Sequence, residues 1–179
     1  MRENRIRRTL FQTVVLGLLL VLWAGGTAPA SAAESRRLPV VEGWLQMPPR
    51  GSMIIFRCQS ASCGGPDALM TIYRHHEVLS GITLELFMKL QADNNAGDIA
   101  LNPGLKSVVS LRAISMQDGV QVFTAWQDRT YGDGTKMFAL NGLLPGPAAT
   151  VTVVAVAGSR EQVSANFEAF LPQLPPLTR

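Results

Sequence analysis

Two histidines and two cysteines are all that this chain of 179 residues offers to metal or thiol chemistry. Several signatures are missing altogether: H-E-x-x-H of zinc proteases, G-x-S-x-G of serine hydrolases and the phosphate-cradling G-x-x-x-x-G-K. Neither C-x-x-C nor C-x-x-C-H occurs, which removes the usual thioredoxin-like and haem-attachment patterns. The apolar core at residues 14–23 is half the ~20 residues that a membrane-spanning helix needs, so no stable membrane anchor is expected. The formal charge of +3 does not survive inspection either. Arg2, Arg5, Arg7 and Arg8 sit ahead of the apolar run and small residues follow it, with Ala30-Ser31-Ala32 fitting an A-x-A cleavage site.

Residues 1–32 therefore have the form of a secretory signal peptide, and their loss leaves 12 basic and 12 acidic residues. The precursor's basicity is thus a targeting property. A neutral mature chain gives no reason to expect nucleic-acid binding, which draws on a basic face to release counterions. Arg7-Arg8-Thr9-Leu10-Phe11 resembles a twin-arginine signal, and an ordinary basic n-region accounts for the same residues. No cysteine lies near the cleavage point for lipid attachment, so the expected location is periplasmic or secreted. About 147 residues remain, enough for one domain with a single core. Residues 33–37 read as a flexible leader, 38–172 as that domain and 173–179 as an extended C-terminal tail.

The two cysteines become informative in this setting. Cys58 and Cys63 follow an apolar β-type run, and their spacing closes a short loop at a strand end. In an oxidising compartment such a bridge contributes about 2 kcal/mol in the chain-entropy account. A structural disulfide is the leading reading. The rival, a redox-active pair, wants a solvent-accessible thiolate of lowered pKa.

The periodicities predict an α+β domain: an antiparallel β-sheet of about six strands with two main helices packed on it. Strands are expected at 53–57, 68–73, 107–116, 120–129, 136–140 and 150–157, with an edge element at 38–47 ahead of Pro48-Pro49. Val151-Thr152-Val153-Val154-Ala155-Val156 is apolar enough to be buried on both faces, which places it centrally in the sheet. Asp118-Gly119 is hairpin chemistry. A helix is expected from Leu84 to about Ala92 with Thr83 as N-cap, stopped by Asn94-Asn95-Ala96-Gly97-Asp98. A second begins after Ser159 in a capping box with Gln162 and buries Val163, Phe167, Phe170 and Leu171. Residues 142–147 read as a wide connection.

With Glu42-Gly43-Trp44 ahead of the first strand, Thr83-Leu84-Glu85-Leu86-Phe87 opening the helix, the Asp118-Gly119-Val120 hairpin and the stretch 153–171, this order resembles the PsbP-like α/β/α sandwich family. The resemblance implies an accessory or binding domain without a constant catalytic set.

Three candidate sites remain. Arg74-His75-His76-Glu77 holds both histidines, and His75, His76 and Glu77 are candidate zinc or copper ligands if the backbone bends there; adjacent strand residues otherwise face opposite sides. Trp126, alternating with Val120, Val122 and Thr124, is either core or a ligand- or partner-stacking platform. Asp128 to Gly134 clusters carboxylates with glycine but lacks the ligand ladder of a calcium loop. The expected function is that of an exported, non-catalytic envelope protein that binds a protein partner or small ligand and needs no cofactor. The alternative is a small metal-dependent or hydrolytic periplasmic enzyme centred on His75 and His76.

Overall fold

The computed structural model describes residues 39–75, 78–79 and 81–178. The expected signal peptide and leader lie outside these residues. Seven strands form one sheet: β1 (Trp44–Gln46), β2 (Met53–Cys58), β3 (Leu69–His75), β4 (Lys106–Gln117), β5 (Val120–Thr130), β6 (Lys136–Pro145) and β7 (Thr150–Ala157). Their order is β1-β2-β3-β7-β6-β5-β4, with every neighbouring pair antiparallel. The valine-rich β7 takes the middle place, and Val151, Val153 and Ala155 are fully buried. The seventh strand is the expected edge element, three residues long.

Helix α1 (Leu84–Leu101) packs over β4 and β5, while α2 (Arg160–Phe170) packs over β6 and β7 on the opposite side. Alternation along β5 divides the core between them. Val120 and Val122 join the α2-side cluster with Phe56, Met70, Leu140, Phe167 and Phe170. Phe123 and Ala125 face Phe87 and Leu143 beneath α1. The result is an α/β/α sandwich in which each helix covers only part of its face.

Local signals explain most boundaries. Thr83 Oγ1 accepts from Leu86 N–H (3.2 Å) and Ser159 Oγ from Gln162 N–H (3.2 Å), capping both helices. Asp118 and Gly119 take φ of 48° and 78°, the left-handed pair that a two-residue hairpin demands.

Four expectations need correction. Helix α1 does not stop at Asn94: it runs to Leu101, because Asn95 and Asp98 bond to side chains of β4 and β5 and the weak helix formers are held by tertiary contacts. The stretch at 142–145 is strand, and Gly142 is there for space: a Cβ would lie 2.8 Å from two Phe167 ring carbons and 2.7 Å from Val153 Cγ1. Only half of the capping box forms among the described residues: Ser159 Oγ accepts from Gln162 N–H, no bond from Ser159 N–H to Gln162 Oε1 is made, and Gln162 Nε2 donates to Ser62 O (3.1 Å) and Asn166 Oδ1 (3.0 Å). The tail is not extended. Turns of 3-10 helix at Leu171–Gln173 and Pro175–Thr178 bury Leu174, Leu177 and Thr178, and Thr178 O accepts from Ala148 N–H and Ala149 N–H, both at 3.1 Å.

Candidate interaction surface

Cys58 ends β2, and Cys63 closes a short 3-10 turn, Ala61–Cys63; a disulfide joins them with their Cα atoms 5.8 Å apart. Both residues are buried, at 1% and 5% exposure. The loop is held down by α2. Buried Asn166 donates to Cys63 O (3.0 Å), and Arg57 Nε donates to Pro66 O (3.0 Å) at the loop's far end. Sulfurs shielded in this way are placed to staple a loop onto a helix; a thiol catalyst needs an accessible attacking sulfur.

His75 lies near the end of β3, its Nε2 2.8 Å from Thr152 Oγ1 and its ring edge-on to Tyr73 at 4.4 Å between centroids. His76 and Glu77 lie outside the described residues. Among the described residues no group of three His, Cys, Asp or Glu side chains converges as a metal site would require.

Trp126 projects to the α2 side of β5, half-buried against the main core. Two guanidiniums lie over its ring, Arg160 at 5.0 Å and Arg112 at 5.5 Å from the centroid. Each is fixed from behind. Arg160 donates through Nε and Nη2 to the two Asp128 oxygens (3.0 and 2.6 Å), and these hydrogen bonds raise its pKa. Arg112 reaches from β4 to Ser164 Oγ (2.7 Å) and Glu168 Oε1 (2.8 Å) on α2. The indole thus ties β4, β5 and α2 together by cation–π contact, and a planar ligand stacking there has to displace a guanidinium.

The hairpin tip after β5 is exposed, and Asp133 Oδ1 accepts the Thr135 backbone N–H at 2.9 Å. That hydrogen bond holds its carboxyl below the ordinary aspartate value.

A polar cluster beneath α1 was not foreseen. Gln127 Nε2 donates to Asn95 Oδ1 (2.8 Å), Ser107 Oγ to Asn95 Oδ1 (2.5 Å), and Arg129 Nη2 to Asp98 Oδ2 (2.5 Å) and Gln127 Oε1 (2.9 Å). Gln127, Arg129 and Asp98 are all buried. The clue in the sequence is that Gln127 and Arg129 continue the face of Phe123 and Ala125, putting polar groups in an apolar phase. Arg129 Nε and Asn141 Nδ2 are buried without a hydrogen-bond partner among the described residues. The cluster fixes where α1 lies on the sheet.

Because α1 sits over β4 and β5, it does not extend across the same face of β1, β2, β3 and β7; among the described residues the connection to α1 touches that face at one end, where Leu79 N–H donates to buried Thr150 Oγ1 (3.0 Å). Three cross-strand rows floor this area: Met53, Tyr73 and Thr152; Ile55, Thr71 and Val154; Arg57, Leu69 and Val156. Most of these residues are half-buried, Val156 is buried and Arg57 exposed; Leu45 on the edge strand is 47% exposed. Aliphatic groups, threonine hydroxyls and a tyrosine on a flat antiparallel floor have the chemistry of a protein-docking surface, with Arg57 at the rim.

No protein-family model matches the chain, and no curated protein matches it by sequence. Solved structures do match. The solution structure of cyanobacterial PsbP (CyanoP) from Synechocystis sp. PCC 6803 superposes with a TM-score of 0.52 at 15% identity, over 72% of this chain and 79% of that one. The Saccharomyces cerevisiae Ran-binding protein Mog1p gives 0.45 at 9% identity, covering 78% and 79%. LpqN of Mycobacterium tuberculosis, described as involved in cell envelope biogenesis, gives 0.41 at 15% identity over 76% and 79%. At such identities a likeness speaks for architecture alone. On the strength of the cyanobacterial match and the strand order above, this chain has the PsbP-like fold.

Proposed function

We propose that the protein is an exported, non-catalytic accessory protein of the cell envelope that docks a protein partner on the uncovered half of its sheet. The observation that carries the reading is the floor formed by β1, β2, β3 and β7, whose apolar and hydroxyl-bearing rows lie beyond the part of the sheet that α1 covers. Three further facts support it. The N-terminal pattern is that of an export signal. The disulfide suits an oxidising compartment. No group of three His, Cys, Asp or Glu side chains converges as a metal site among the described residues, and a continuous buried core backs the floor from the α2 side.

The test is affinity capture from envelope extract with the tagged protein, run beside Ile55→Lys and Thr71→Lys. A lysine on a desolvated contact costs at least about 1.4 kcal/mol, so each variant should lose about tenfold or more of the captured partner while keeping its melting temperature. Equal capture by wild type and both variants refutes the assignment of the face.

A further inference from the structure

The two edges of the sheet are built differently. β1 offers only Trp44–Gln46 before Pro48-Pro49 ends the pairing, a common way to blunt an edge. β4, at the other end, is the longest strand, 12 residues, and no described strand pairs with its outer side. Its side chains are not those of a protected edge: Val108 is 67% exposed, Leu111 44%, Ile114 45% and Met116 64%.

We propose that β4 is the seam of a two-fold homodimer, in which a second copy of this chain pairs antiparallel along it. The bulge between Leu111 and Ala113 sets the register. Simple alternation would put Leu111 and Ile114 on opposite faces. The extra residue instead leaves Val109, Leu111, Ile114 and Met116 on the α1 side, opposite Gln127, Ala125, Phe123 and Gln121 of β5. The strand thereby becomes self-complementary about a point between Arg112 and Ala113. Leu111 meets the partner's Ile114, Val109 meets the partner's Met116, and Ser110 meets the partner's Ser115. At each end of the seam Ser107 comes opposite the partner's Asp118 and Lys106 opposite the partner's Gly119, which leaves the ammonium one position from the carboxylate, twice by symmetry. Arg112, next to the axis, does not oppose its own copy on the apolar strip, because Ser164 and Glu168 draw it to the α2 side. A two-fold axis normal to the sheet keeps both uncovered floors on one side of a continuous sheet. The seam stands on its own evidence, independent of what those floors bind.

Sedimentation equilibrium of the purified protein, with its Cys58–Cys63 disulfide intact, should return twice the chain mass. Leu111→Lys combined with Ile114→Lys should return one chain mass with unchanged circular dichroism. As a check on register, Ser110→Cys combined with Ser115→Cys should oxidise to a covalent dimer that reductant dissolves; within one chain the two positions lie too far apart along the strand to bond. A wild-type monomer at every concentration overturns the proposal, as does a dimer that survives the lysine pair and is not cross-linked by the cysteine pair.

Discussion

Replacing Gly142 with alanine adds a single methyl group, and the structure says where it goes. The new carbon would stand 2.7 Å from Val153 Cγ1 and 2.8 Å from Cε2 and Cζ of Phe167, against roughly 3.5–4.0 Å for relaxed carbon contact. Neither neighbour can retreat easily. Val153 is fully buried on the central strand, and Phe167 is 1% exposed on α2, inside the main core. Overpacking of this kind costs typically about 1–3 kcal/mol. Alanine returns about 0.5–1 kcal/mol because glycine loses more backbone freedom on folding. With contacts under 3 Å the overpacking cost lies in the upper half of its range, about 2–3 kcal/mol, and the net loss of about 1–2.5 kcal/mol lowers the melting temperature of a domain of this size by about 3–10 °C. Thermal and urea unfolding read this directly, with the urea slope unchanged. Phe167→Leu in the same chain removes the colliding ring carbons, so the double variant should be more stable than the sum of the single losses predicts. A Gly142→Ala protein as stable as wild type, or more so, would refute the reasoning; backbone propensity alone predicts that outcome.

Three other perturbations probe separate parts of the molecule. Cys58→Ala with Cys63→Ala should cost about 2 kcal/mol of unfolding free energy, read as a lower urea midpoint, and reductant should reproduce the loss in wild type but not in the variant. Asp98→Ala strands Arg129 as a buried charge and should cost about 3–5 kcal/mol, whereas Asp98→Leu with Arg129→Met should recover most of it, since the ion pair positions α1 more than it stabilises the fold. The Asp133 carboxyl, held low by the Thr135 N–H, should titrate by NMR below an ordinary aspartate; its contribution to the hairpin tip is present above the usual carboxylate range and lost as pH falls through that lowered value. An ordinary midpoint would mean that the hydrogen bond does not persist in solution.

What the sequence disclosed and what it hid follow from the range of the interactions involved. β7, the Asp118-Gly119 hairpin, both N-caps and the Val163-Phe167-Phe170 stripe depend on neighbours within a few residues, and all were legible. The end of α1 was not, because Asn94, Asn95, Gly97 and Asp98 break helices by propensity. Here Asn95 and Asp98 are held by bonds from residues 12 to 32 positions further on. Gly142 carries the same lesson: a glycine normally marks a turn, and only the approach of Phe167 reveals it as space inside a strand. The tail looked loose because proline forbids a regular helix, yet its leucines find the core through 3-10 turns. The uncovered floor could not be read at all. Which rows of a sheet stay bare depends on where each helix crosses it, and the α1 position is set by the Asp98–Arg129 and Asn95–Gln127 contacts, not by any local pattern.

The most direct measurement is photo-cross-linking in living cells, with a photoreactive side chain placed at Thr71 in the middle of the floor and, as a control, at Asp133 on the far hairpin tip. The account predicts a discrete envelope-protein adduct from position 71 and none from 133. No adduct at 71, or the same adduct from both positions, would contradict it.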